Sequence, residues 1–131
     1  MPRRKSARVL MVGSVTYGWS LAHHHRVESV GGGSLYRDCT ERLAVWQDGA
    51  RGRLEVVFKT GTGRLVPDGV LHSGGVVRGE DYLNLHRPGV VRALLDEALD
   101  RGWRPADATH VRYDGWGMVS AVAAKLRDSP V

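Results

Sequence analysis

Three consecutive histidines, His23, His24 and His25, stand in a stretch whose apolar residues otherwise alternate. Alternation sends successive side chains to opposite faces of a strand, so His23 and His25 share a face and His24 takes the other. Two imidazoles on one face can reach a single divalent transition metal, for which imidazole is a common ligand. A catalytic metal needs about three protein ligands and an open position. His72, at the end of "GTGRLVPDGVLH", is the third candidate. The competing reading is of partly solvated imidazoles at a sheet edge.

Other residues with chemical potential are more scattered. Cys39 is the sole cysteine, which excludes an intrachain disulfide and sets a reducing cytoplasm as the expected setting. Paired with a distant histidine it would be a nucleophile, but only Arg37 and Arg42 stand near it in sequence to favour a thiolate. Arg112, Tyr113 and Trp116 cluster in "VRYDGWG". A tryptophan exposed in that turn would anchor a partner or stack a base, whereas core burial is the ordinary fate of an indole. Gly31 to Gly33 do not make a phosphate-binding loop, because no Gly-Lys-Ser/Thr and no helix start follow them.

The elements that must position these residues are legible in outline. "ARVLMV" from Ala7 and "TYGWSLAHHHRVESV" from Thr16 to Val30 read as strands, and the triple glycine then breaks the pattern. Residues 41–47 and 53–59 flank "DGARG" as two arms of a hairpin, with Leu54, Val56 and Phe58 on one face. Residues 60–81 are rich in glycine, proline and aspartate and read as loops, with short edge strands near 64–66 and 75–78. Over residues 88–103, Val90, Val91, Leu94, Leu95, Ala98 and Leu99 recur on one helical face. Pro88 suits the first turn of that helix, and Gly102 suits a left-handed cap. Residues 109–113 return as a strand, "DGWG" turns, and Met118 to Leu126 suggest a closing helix. The order implies an α+β fold: a mainly antiparallel β-sheet with one long amphipathic helix packed on it and a short C-terminal helix.

The length of 131 residues suits a single domain over residues 7–131, preceded by a disordered basic tail over residues 1–6. Arg3, Arg4, Lys5 and Arg8 carry most of the net charge of +5, since without residues 1–8 the chain holds fifteen basic against fourteen acidic residues. The body is thus nearly neutral, and a nucleic-acid reading rests on Arg3, Arg4 and Lys5, whose phosphate contacts would be salt-dependent. No apolar run approaches the length of a membrane span.

"YGW" at 17–19, with "PGVVRALLDEALDRGWRP" at 88–105, resembles small bacterial proteins that share a Y-x-W strand and a late helix ending in G-W-x-P. That resemblance implies a fold and an accessory role, and supplies no catalytic residue. A second, partial resemblance is to cupins. Gly18, His23, His25 and Glu28 stand in the order of the first cupin motif, and Gly61, Pro67, Gly69 and His72 in that of the second. This chain departs from that pattern: four residues rather than five lie between Gly18 and His23, two separate His25 from Glu28, and Val76 replaces the expected asparagine.

The expected function is that of a non-enzymatic accessory or interaction protein of immunity, adaptor or small-ligand-binding type, acting as a monomer or homodimer. A small metal-dependent, cupin-like enzyme or metal-binding domain on His23, His25 and His72 is the first alternative, and a nucleic-acid binder the second.

Overall fold

The computed structural model describes residues 7–66 and 74–128. Arg3, Arg4, Lys5 and His72 lie outside the described residues. Five strands form the main sheet: β1 (Arg8–Val12), β2 (Val15–Val30), β3 (Gly33–Gln47), β4 (Arg53–Lys59) and β8 (His110–Asp114), in the spatial order β1-β2-β3-β4-β8. The first four make an antiparallel meander, and β8 pairs with β4 in parallel. Between β4 and β8 the chain forms a second sheet from β5 (Arg64–Leu65), β6 (Gly75–Arg78) and β7 (Asp81–Asn84), and then helix α1 (Pro88–Asp100). A single-turn 3-10 helix (Gly115–Gly117) and α2 (Val119–Asp128) follow β8. The fold is therefore mixed α+β, with an antiparallel-dominated sheet and two helices.

The sequence locates most of these elements, with some differences. Strand β4 has the expected bounds, because Arg53 and Lys59 flank five buried residues. The helix expected over 88–103 ends at Asp100, so α1 and α2 are comparable, at 13 and 10 residues. Beyond Asp100, Gly102 turns at φ 106°. The Trp103 N–H donates to the Ala98 carbonyl and the Gly102 N–H to that of Leu99, each at 3.0 Å. This is the Schellman arrangement, which satisfies carbonyls that the helix end would otherwise strand. Trp103 is carried back into the core by that turn. Strand β3 begins eight residues earlier than expected, at Gly33, so β2 and β3 run together from Tyr17 opposite Gln47 to Val30 opposite Gly33. Their distal part extends beyond the pairing of β1, which ends at Trp19, and of β4, which starts at Thr40.

The register sorts the sheet into two chemically different faces. One carries the rows Arg8–Trp19–Val45–Leu54–Val111, Leu21–Leu43–Val56–Tyr113 and His23–Glu41–Phe58. Trp19, Leu21, Leu43, Val45, Leu54, Val56 and Phe58 from these rows share one apolar cluster with Val91, Leu94 and Leu95 of α1 and Val119 and Val122 of α2. Burial of this kind is worth ~25 cal/mol per Å² and is the main force holding helices to sheet. The opposite face carries the rows Val9–Gly18–Trp46–Arg53–His110, Ser20–Ala44–Glu55–Arg112, Ala22–Arg42–Val57–Asp114 and His24–Thr40–Lys59. None of these side chains belongs to the apolar cluster.

The helices are tied to the sheet edge by polar contacts as well. Arg8 lies 5.2 Å from the Trp19 ring centroid and donates to the His86 carbonyl ahead of α1 at 3.2 Å. This arginine, counted with the basic leader in the sequence, is thus a structural member of the domain. No helix among the described residues is long and apolar enough to cross a membrane.

Candidate functional site

A cleft of about 350 Å³ opens where β4 and β8 end together, lined by Val57, Lys59, Arg64, Arg112, Tyr113, Asp114 and Trp116. Its position follows from the parallel pairing. Val57 is level with Asp114, so the last residues of both strands, with the turn after β8, converge at one end of the sheet. In open α/β sheets the carboxyl ends of parallel strands are the usual place for ligands, because the chain must leave the sheet there and opens a crevice.

The turn that forms the cleft wall is fixed from four directions. The Trp116 N–H donates to the Asp114 carboxylate at 3.1 Å, and the Trp116 indole N–H donates to the Lys59 carbonyl at 2.7 Å. Arg78 of β6 donates to the Trp116 carbonyl at 2.7 Å, and Arg101, just past α1, to that of Gly117 at 2.8 Å. The Trp116 ring meets Phe58 edge-on with centroids 5.2 Å apart, a favourable geometry for two quadrupoles. Gly115 makes this packing possible, since a β-carbon there would fall on the Phe58 ring.

The cleft thus contains all three residues of the "VRYDGWG" cluster, and of the two fates weighed for Trp116 the structure shows core burial. Trp116 is 1% exposed and is no surface anchor. Its ring completes the core, because its one polar atom is satisfied by the Lys59 carbonyl. Tyr113 packs partly buried against the apolar cluster, while Arg112 projects from the uncovered face. Sequence reasoning missed Lys59, at the end of β4, and Arg64, at the start of β5, which stand some fifty residues from the cluster and meet it because β8 pairs with β4.

Beside the cleft, Glu55 is buried under three basic side chains. Arg112 Nη2 lies 3.2 Å and Arg42 Nη1 3.7 Å from its Oε1, and His110 Nε2 lies 3.2 Å from Oε2. Two guanidiniums share one carboxylate, so the group holds its arginines in place and remains positive. In the neighbouring row, the Arg53 guanidinium lies over Trp46 at 5.4 Å, and Trp46 lies over Gly18, where a β-carbon would strike the indole.

His23 and His25 adjoin with ring centroids 5.2 Å apart, on the stretch of β2 beyond the reach of β1. The pairing register sets Glu41 opposite His23, and His23 Nδ1 contacts its carboxylate. Glu41 is 1% exposed and His23 a quarter exposed. His24 is exposed on the other face. Among the described residues no group of three His, Cys, Asp or Glu is arranged to hold a metal ion, and His72, the expected third ligand, lies outside them. Cys39 is buried. Arg42 points to the opposite face of β3 and is engaged by Glu55, so it cannot assist the thiol as the sequence had suggested. A smaller depression of about 280 Å³ lies at Cys39, lined by Cys39, Thr40, Lys59 and Thr60.

No family model, curated protein or solved structure matches the chain.

Proposed function

We propose that this chain is a non-enzymatic interaction protein that engages a protein partner on the uncovered face of its main sheet. The supporting observation is the asymmetry of that sheet. One face is sealed by α1 and α2, while the other presents Val9 and Met11, at 68% and 59% exposure, in front of ordered tryptophan and arginine side chains. Tryptophan and arginine are the residue types that carry most binding energy at interfaces. Arg42 and Arg112 are already held by Glu55, and Arg53 by Trp46. Side chains that are ordered before binding lose less entropy on docking, at a saving of about 0.5–1.5 kcal/mol for each long side chain.

The test uses a charge-introducing double variant, Val9→Glu with Met11→Glu, in the full chain. Both residues are exposed, so the thermal midpoint is expected to stay within a degree or two. In cells expressing the chain at native level, cross-linking should identify a protein joined to the wild type through the uncovered face and lost with the variant. Cross-links that map to the helix face, or partners indifferent to the variant, would remove the reading. A salt-sensitive nucleic acid as the main captured species would replace it with the nucleic-acid alternative.

A further inference from the structure

We propose that the cleft at the end of β4 and β8 is a binding site for a small phosphomonoester that also carries hydroxyl groups, such as a sugar phosphate. Among the described residues Lys59, Arg64 and Arg112 bring three cations to one cleft, against the carboxylate of Asp114. Arg112 spends one nitrogen on Glu55 and leaves over half its side chain exposed. Among the described residues neither the Lys59 ammonium nor the Arg64 guanidinium has an ion-pair partner. Three cations converging on one carboxylate repel one another on balance, and a bound dianion removes that cost. A phosphomonoester carries about −1.5 to −2 charges at neutral pH, which matches the net balance of the lining.

The remaining groups decide what the phosphate is attached to. Asp114 uses one oxygen to accept the Trp116 N–H, and its second oxygen accepts no hydrogen bond among the described residues. A carboxylate facing the same cleft repels a bare phosphate, and a ligand hydroxyl donating to it turns that repulsion into a contact. The size is consistent, because about 350 Å³ lies at the small end of ligand sites. The wall is also preorganised: Arg78 and Arg101 clamp the carbonyls of the turn, and Phe58 fixes the Trp116 ring. This site takes Val57, Lys59, Arg112 and Asp114 from the same face as the partner surface proposed above, but at the β4–β8 end of the sheet, across from Val9 and Met11 on the opposite edge strand.

Titration calorimetry at low ionic strength, with ribose 5-phosphate, inorganic phosphate and ribose as probes, tests the assignment. Ribose 5-phosphate should bind with a Kd at or below about 1 mM, inorganic phosphate more weakly, and ribose not measurably. Arg64→Gln and Lys59→Gln should each weaken ribose 5-phosphate about tenfold or more, since each removes a charge-assisted bond. Among the described residues neither side chain has an ion-pair partner, so unchanged circular dichroism and thermal midpoint are expected and separate lost binding from lost fold. Asp114→Asn keeps an oxygen for the Trp116 N–H. It should weaken ribose 5-phosphate yet strengthen inorganic phosphate, which a merely structural role would not do. No heat with either phosphate, affinities unmoved by both cation variants, or equal binding of ribose would each overturn the proposal.

Discussion

Glu41 and Glu55 are both buried carboxylates, and they differ in what surrounds them. Glu55 is ringed by Arg42, Arg112 and His110 on the uncovered face, while Glu41 sits on the core face with His23 against it. Removing a side chain that contacts a buried acid takes away part of its solvation, and such a loss costs about 1–3 kcal/mol. His23→Ala should therefore destabilise the chain by roughly that amount, whereas His24→Ala, on the exposed side, should be within ±0.5 kcal/mol. Equal small effects from the two would sink the distinction, and urea unfolding measures both. Tyr17 gives the residue scale a pH signature. Burial, and then the Asp96 carboxylate, raise its phenol above the usual value of 10.0, against a smaller lowering by Arg92. The folded chain thus holds the phenolic proton more tightly than the unfolded one. The stability this supplies is complete below about pH 10 and is lost as pH rises through the folded value. Tyr17→Phe should weaken the alkaline fall in thermal midpoint above about pH 10 and leave the midpoint at pH 7 nearly unchanged. At this scale the sequence offered Arg112, Tyr113 and Trp116 as neighbours, because a few residues of chain hold them together. It could not offer Glu41 for His23, or Lys59 and Arg64 for the cleft, since those meetings depend on strand register.

Among the elements, those with strong local signals are the ones that sequence locates. Strand β4 is a short apolar and β-branched run between charged ends, and α1 is bracketed by Pro88 and Gly102. Strand β7, in the polar run "GEDYLNLH", carries no such pattern; it exists because β6 supplies a partner opposite Val76, Val77 and Arg78. The early start of β3 was hidden for a related reason: "GSLYRDC" has weak alternation, and only pairing with the distal part of β2 makes it a strand. Two substitutions probe the packing of these elements. Leu95 of α1 is fully buried in the apolar cluster. Leu95→Ala should cost ~2–5 kcal/mol through lost burial and a residual cavity. A loss under about 0.5 kcal/mol, within the range of ordinary surface changes, would mean that α1 does not seal the sheet by this face. Gly115→Ala tests the opposite error, overfilling. The added methyl group must displace the Phe58 ring or shift the turn, at a cost of about 1–3 kcal/mol. Because that turn also walls the cleft, the variant should lose stability and ligand together, unlike Arg64→Gln.

The whole molecule is a meander of four strands completed by a fifth that arrives from far along the chain. β8 pairs with β4 only after β5, β6, β7 and α1 have been laid down between them. Parallel partners cannot be joined by a tight turn, so this connection obliges α1 to cross the sheet on the core side. Nothing in "THVRY" itself names β4 as its partner, which is why the sequence suggests a returning strand without its neighbour or direction. The resulting architecture places stability unevenly. β3 and β4 are interior strands whose residues fill the apolar cluster, while β1 is an edge strand with exposed Val9 and Met11. The distal part of β2 and β3 pairs only with itself among the named strands. Amides that lack two flanking strands and a sealed face can open without disturbing the rest, so their exchange reports local free energies well below the global one. Native-state hydrogen exchange should then rank residues 43–45 and 54–58 slowest, opening only with global unfolding. β1 and the distal ribbon should be fastest, with β8 between them because the turn after it is clamped by Arg78 and Arg101. Saturating ribose 5-phosphate should slow exchange over 57–59 and 112–116 while leaving β1 unaffected, since a ligand protects the elements it bridges. Protection of β1 equal to that of β3 would contradict the uneven distribution of stability, and ligand protection centred on β1 would move the binding site off the end of β4 and β8.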